Sequence, residues 1–131
     1  TGPDVATRHA AARAWSLWEG TTISLLPDPE REKEFVDPDF ALALARIECH
    51  YFLNEGFFTP RDWILANAGK LASIPGVIIH GRYDVCTPMS SAWQLHKAWP
   101  NATFVVVPDG GHTHTEPGIL HELVTATESF R

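Results

Sequence analysis

The chain of 131 residues is short of cysteine, of positive charge and of long apolar runs, and each shortage removes a class of protein. Its two cysteines, Cys49 and Cys86, lack the C-x-x-C spacing of a metal knuckle or a dithiol centre. Reduced thiols in a cytoplasmic protein are the default reading of such a pair. Ten Lys and Arg stand against sixteen Asp and Glu, with no basic run, so the net charge of −6 argues against a nucleic-acid or anionic-membrane partner. No stretch approaches the roughly 20 apolar residues that cross a bilayer, and the first thirteen residues lack the apolar centre of a signal peptide. Internal repeats and low-complexity segments are absent as well. So is any G-x-S-x-G run, the sharp strand-to-helix turn that can carry a nucleophilic serine.

What is present suffices for an ordered core. Apolar residues make up 44% and charged residues 20%, and five Trp and seven Phe offer large surfaces to bury. The first half reads as helical. Asp4 to Glu19 is Ala-rich, carries Trp15 and Trp18 one turn apart, and is expected to stop at Gly20. The charged run Glu30 to Glu34, after Pro27 and Pro29, reads as a solvated loop or a short turn of helix. Asp37-Pro38 supplies a cap and a first-turn proline for a helix to about Asn54, with Phe40, Leu44, Ile47 and Tyr51 as its apolar stripe. Thr59-Pro60 repeats that signal for a helix from Arg61 to about Leu71.

The period changes near Ser73, which divides the chain into an all-helical part, 1–72, and a mixed part, 73–131. Gly76–His80 and Thr103–Val107 are short, continuous apolar runs, the pattern of strands buried in a parallel sheet. Between them Pro88–Trp99 reads as a helix, and Pro117–Phe130 as another with Ile119 or Leu120, Leu123, Ala126 or Thr127 and Phe130 facing inward, so the fold class is α/β with a β-α-β-α order. Two strands make a poor sheet alone, which implies further strands from absent sequence, a partner chain or self-association.

Asp84 and His112 follow the two strands by four and five residues respectively. In open α/β sheets ligands bind beyond the carboxyl ends of strands, so both face one edge. An imidazole takes a proton from a hydroxyl only when its other nitrogen is oriented by an acceptor, a role a buried aspartate fills. Gly110-Gly111 before His112 permits a tight backbone there. Spacing alone leaves open that Asp84 caps a turn and that His112 is an ordinary loop histidine.

The segments HGRYD, SAWQLHKAWP, VVPDGGH and EPGILHELVTAT, with WSLWEG and DFALALARIECHYFLNEGFF before them, resemble the C-terminal portion of the proline iminopeptidases. These are α/β-hydrolase-fold serine peptidases that release an N-terminal proline. The resemblance covers nearly the whole chain. It implies that residues 1–72 are the remainder of a helical cap domain and 73–131 the end of the hydrolase core. It further implies that Asp84 is the triad acid, His112 the general base, and Glu19 and Glu48 the carboxylates that hold the substrate's free amino group. Cys86 would lie near the proline pocket. The substrate would be a peptide with a free N-terminal proline, with no cofactor and no metal. The serine, the oxyanion loop and most of the sheet would come from an N-terminal half that is missing here, so the chain alone is expected to be inactive.

The residues also bear plainer readings. Glu48 lies at the margin of its helix's apolar stripe, where a carboxylate calls for a cation, and Glu19 lies at a helix end whose dipole disfavours it. Both remain compatible with solvated surface positions. The histidines 80, 96, 112, 114 and 121 include an H-x-H but no supporting carboxylate pattern, a weak zinc signal. Cys86 has no elbow that would make it a nucleophile, and Cys49 reads as core. Two other functions stay open: a different α/β-hydrolase, such as an esterase or epoxide hydrolase, with no use for Glu19 and Glu48, and a non-catalytic truncated module that packs on another chain through its sheet edge.

Overall fold

The computed structural model describes residues 2–131. They form two compact units, one comprising the chain up to Thr22 with Leu26–Arg61, the other Ile23–Leu25 with Asp62–Arg131. This boundary differs from the change of period near Ser73, because the short helices that precede the first strand pack on the helix that follows it.

The first unit is built from α1 (Val5–Thr22), α2 (Pro29–Phe35) and α3 (Pro38–Leu53), followed by a 3₁₀ turn over Glu55–Phe57. Asp28 and Asp37 each accept main-chain N–H bonds at the starts of α2 and α3, with proline in the first turn of both. The charged run is therefore a capped helix, not a loop. Helix α1 continues past Gly20. A Cβ at Gly20 would lie 2.8 Å from the Phe35 ring, so this glycine admits an aromatic neighbour and terminates nothing.

The helices meet through small residues. Ala12, Ser16 and Gly20 are buried along one face of α1, and Ala41 and Ala45 along α3. The large apolar side chains expected inside lie largely outside this contact: Trp15, Trp18, Ile47, Tyr51 and Phe52 are exposed. Cys49 is exposed too, contrary to its reading as core.

In the second unit α4 (Trp63–Asn67) runs into a 3₁₀ turn, Ala68–Leu71, in place of one longer helix. Strand β1 (Gly76–Gly81), helix α5 (Met89–Ala98) and strand β2 (Ala102–Val107) follow, then α6 (Pro117–Ser129). The strands pair in parallel, Gly76 opposite Ala102 and Gly81 opposite Val107, in a sheet of two. Trp99 closes the crossover by donating its indole N–H to the Ile74 carbonyl at 2.8 Å, and its ring fills the space a side chain at Gly76 would take. On α6 it is Ile119 that is buried, whereas Leu123, Val124 and Phe130 are exposed.

The parallel register places the carboxyl ends of β1 and β2 side by side, and the loops leaving them touch main chain to main chain. A Cβ at Gly81 would sit 1.9 Å from the Gly111 carbonyl oxygen and 2.6 Å from that of Gly110. Only backbone could yield to it. Gly81→Ala is therefore expected to destabilise the fold by about 3 kcal/mol or more, the upper end of overpacking costs. A urea midpoint close to that of the unsubstituted protein would contradict this.

Candidate active site

Asp84 follows β1 in a turn closed by its own N–H to the Gly81 carbonyl at 3.2 Å. The turn is tied to the second loop, because Arg82 N–H donates to the Val107 carbonyl at 2.9 Å and Tyr83 N–H to that of Gly110 at 3.0 Å. The Asp84 side chain is 5% exposed. Its Oδ1 accepts the N–H groups of Cys86 and Thr87 at 2.9 and 2.8 Å, and its Oδ2 accepts the Thr87 hydroxyl at 2.7 Å.

His112 comes from the loop after β2, and its Nδ1 lies 2.9 Å from Asp84 Oδ2. Asp84 is ionised and can only accept, so Nδ1 carries the hydrogen and Nε2 is left as the proton acceptor. Burial opposes a charge on Asp84. The Thr87 N–H, His112 and the Thr87 hydroxyl outweigh it and hold the carboxyl below its ordinary pKa of 3.8. With a side chain 38% exposed, His112 remains within reach of a substrate.

Two supports of this pair are invisible in the sequence. The segment Ile23–Leu25 lies under the histidine loop: the N–H groups of His112 and Thr113 both donate to the Ile23 carbonyl, at 3.0 and 2.9 Å. Glu116 bridges the same two strands of chain, accepting the Leu25 N–H at 2.7 Å and the Gly111 N–H. An acid just before the first-turn proline of α6 was the available sign, but while Gly111 is five residues away its other partner, Leu25, lies 91 residues away. Gly110 and Gly111 serve close approach, to Ile119 and to Leu25 N respectively, and neither has a positive φ. Glu116→Ala strands two N–H groups and is expected to cost about 2–4 kcal/mol, since each bond to a charged acceptor contributes roughly 1.5–3 and part is recovered by water. Hydrogen exchange at Gly111 and Leu25 that stays as slow as in the unsubstituted protein would refute this.

His80, on β1, approaches the acid from another side. Its Nε2 is 3.8 Å from Asp84 Oδ2 and is buried without a hydrogen-bond partner among the described residues. Leaving such a nitrogen unpaired costs about 1–3 kcal/mol. Of the other histidines considered for a metal, His96 bonds the Ala102 carbonyl and stacks on Phe104, and His114 and His121 are exposed. The donors that do gather are Asp84, Cys86 and His112, whose ligand atoms all lie within 4.8 Å of one another.

The remaining sequence-derived residues belong to the helical unit. Glu48 is half-buried on α3 and accepts the Trp15 indole N–H at 2.6 Å. No cation pairs with it among the described residues. Glu19 is half-buried in the last turn of α1, four residues and hence one turn beyond Trp15, on the same face. A cavity of about 690 Å³ between α1 and α3 is lined by Trp15, Leu42, Cys49 and Leu53 but also by Arg8 and Arg46. Two guanidiniums make it a poor host for an ammonium group.

Residues 41–119 match the family described as TAP-like protein, a branch of the α/β-hydrolases, and so cover more than half of the chain. The chain belongs to the TAP-like α/β-hydrolase family. The helical elements followed by a small parallel sheet are the C-terminal part of that fold. Among similar proteins, the "Probable proline iminopeptidase" of Leptolyngbya boryana is 54% identical over 99% of this chain and 40% of its own length. The "Proline iminopeptidase" of Xylella fastidiosa is 54% identical over 99% of this chain and 42% of its own, and that of Arabidopsis thaliana 50% identical over 98% and 34%. The chain thus spans about two-fifths or less of the length of these relatives.

Proposed function

We propose that this chain is the acid- and base-bearing portion of a serine exopeptidase that releases N-terminal proline, with the nucleophilic serine supplied by sequence outside the 131 residues. The observation that carries the hydrolase reading is the 2.9 Å bond between a buried Asp84 and a substrate-accessible His112 at the carboxyl edge of two parallel strands. Identity of 50–54% across the chain to proteins named proline iminopeptidase supports the substrate class.

In this mechanism His112 Nε2 removes the proton of the serine hydroxyl as the oxygen attacks the prolyl carbonyl. Asp84 keeps Nδ1–H in place and stabilises the imidazolium, which then protonates the leaving amine. Glu48 and Glu19 hold the substrate's ammonium. The half-burial of Glu48, with a neutral indole donor and no cation among the described residues, supports that assignment, because a carboxylate so placed gains from a cation brought by the substrate. Cys86, beside Asp84, contributes to the wall against which the proline ring packs. A cytoplasmic location agrees with Cys49 and Cys86 not being joined in a disulfide.

The deciding assay compares a prolyl arylamide with its N-acetylated form. Hydrolysis of the free amine and failure of the blocked one is the expected result. Equal turnover of both would remove the role of the glutamates and favour an esterase-like hydrolase; no turnover of either by the full-length protein would favour the non-catalytic module.

A further inference from the structure

We propose that Asp84, Cys86 and His112 also form a reversible inhibitory site for a thiophilic divalent cation, with Zn²⁺ as the type ligand. The three side chains supply a carboxylate oxygen, a sulfur and an imidazole nitrogen, the donor types zinc takes, and these atoms lie within 4.8 Å of one another. Ligands at ordinary zinc bond lengths in a tetrahedron are separated by about 3.4–3.6 Å. The Nδ1 to Oδ2 separation of 2.9 Å is slightly less and the upper bound of 4.8 Å somewhat more, so small side-chain rotations bring all three into range.

The surroundings favour a cation there. Asp84 is already oriented from behind by two main-chain N–H groups on Oδ1, the kind of outer support that fixes a metal-binding carboxylate. Its Oδ2 faces the buried, unpartnered Nε2 of His80 at 3.8 Å. When Nε2 carries no hydrogen, two electron-rich atoms face each other, and a positive ion between the nearby donors relieves that opposition. His112 and the mouth of the site are exposed enough for entry.

Binding releases the proton of the Cys86 thiol to solvent and moves the hydrogen of His112 from Nδ1 to Nε2, since a neutral imidazole bound through Nδ1 carries its hydrogen on the other nitrogen. The cation therefore occupies the nitrogen through which Asp84 orients the base, and general-base catalysis stops while it is bound. Chelation restores it. The binding half of this proposal rests on the cluster alone; only the inhibition rests on the hydrolase reading.

The test titrates purified protein with Co²⁺, whose bond to a thiolate gives a charge-transfer band, and displaces it with Zn²⁺. One equivalent of cobalt with that band is expected. Cys86→Ser should abolish the band and weaken Zn²⁺ binding at least about 30-fold, whereas Cys49→Ser should leave both intact. His112→Ala is a second variant at a position that is not a core residue, and it should weaken binding comparably. No thiolate band in the unsubstituted protein, loss of it in Cys49→Ser, or undiminished affinity in Cys86→Ser would each overturn the site. In the hydrolase assay, Zn²⁺ at saturating concentration should remove activity and EDTA should return it. Full activity with the site saturated would overturn the inhibitory role, and an absence of any hydrolysis would count against the enzymatic reading while the cobalt band still decides the binding.

Discussion

In the full-length protein, replacing His112 by alanine is expected to lower kcat for prolyl-arylamide hydrolysis by about four orders of magnitude, the scale of losses when a triad base is removed. Among the described residues nothing else near the site offers an exposed nitrogen held by a carboxylate: His80 is buried behind the acid. Asp84→Asn is expected to produce a loss of similar size by a different route. An amide in place of Oδ2 can present its NH₂ to the ring, which selects the tautomer with hydrogen on Nε2 and leaves the serine proton no acceptor. KM should move little in both. Retention of more than about a tenth of the rate by His112→Ala would refute the assignment. The pH dependence follows with a definite sign. The Asp84 pKa is depressed in the folded protein, so its contribution to stability is complete above about pH 4 and is lost as pH falls through the lowered value. Asp84→Asn should abolish this acid-side loss of stability, read as the urea midpoint against pH.

Glu48→Gln is expected to lower kcat/KM on a free prolyl substrate by roughly 30-fold to several-thousand-fold, the equivalent of about 2–5 kcal/mol for a desolvated charge deprived of its partner. Glutamine isolates the charge from the structure, because its carbonyl oxygen can still accept the Trp15 N–H that Glu48 accepts now. Glu19→Gln should act in the same direction. The informative measurement is the ratio between free and N-acetylated substrates, which both substitutions should compress toward one. An equal proportional loss on both substrates would mean that the carboxylates support the helices and hold no amine.

The strands and their order were legible because buried parallel strands write themselves as unbroken β-branched runs, and GVIIH and TFVVV do so. From that order the common edge of Asp84 and His112 followed, and the structure brings them into contact. The reading of the helical half erred where it equated size with burial. Trp15, Ile47 and Tyr51 fit a helical stripe, yet α1 and α3 approach through Ala12, Ser16, Ala41 and Ala45, and small residues carry no hydrophobic signal strong enough to outvote a tryptophan. Gly20 misled for a related reason. Glycine ends helices through local backbone freedom, whereas here a ring from 15 residues further on occupies the place of its missing side chain. Glu116 and the Ile23 carbonyl lay beyond any local pattern, since they join segments about 90 residues apart and the groups they accept from are all plain main-chain N–H.

The contact of Gly81 with the Gly110 and Gly111 carbonyls means that the spacing between acid and base is recorded in the main chain, with no side chain interposed to be retuned. Substitutions among the apolar residues under the sheet can change how tightly the unit holds together without altering that spacing, while a single added methyl at the crossing alters it outright. The site is in this sense insulated from drift in the core and brittle at one point. Variation that adapts such a protein to heat or cold can proceed through most of the fold, but the loop crossing admits almost none.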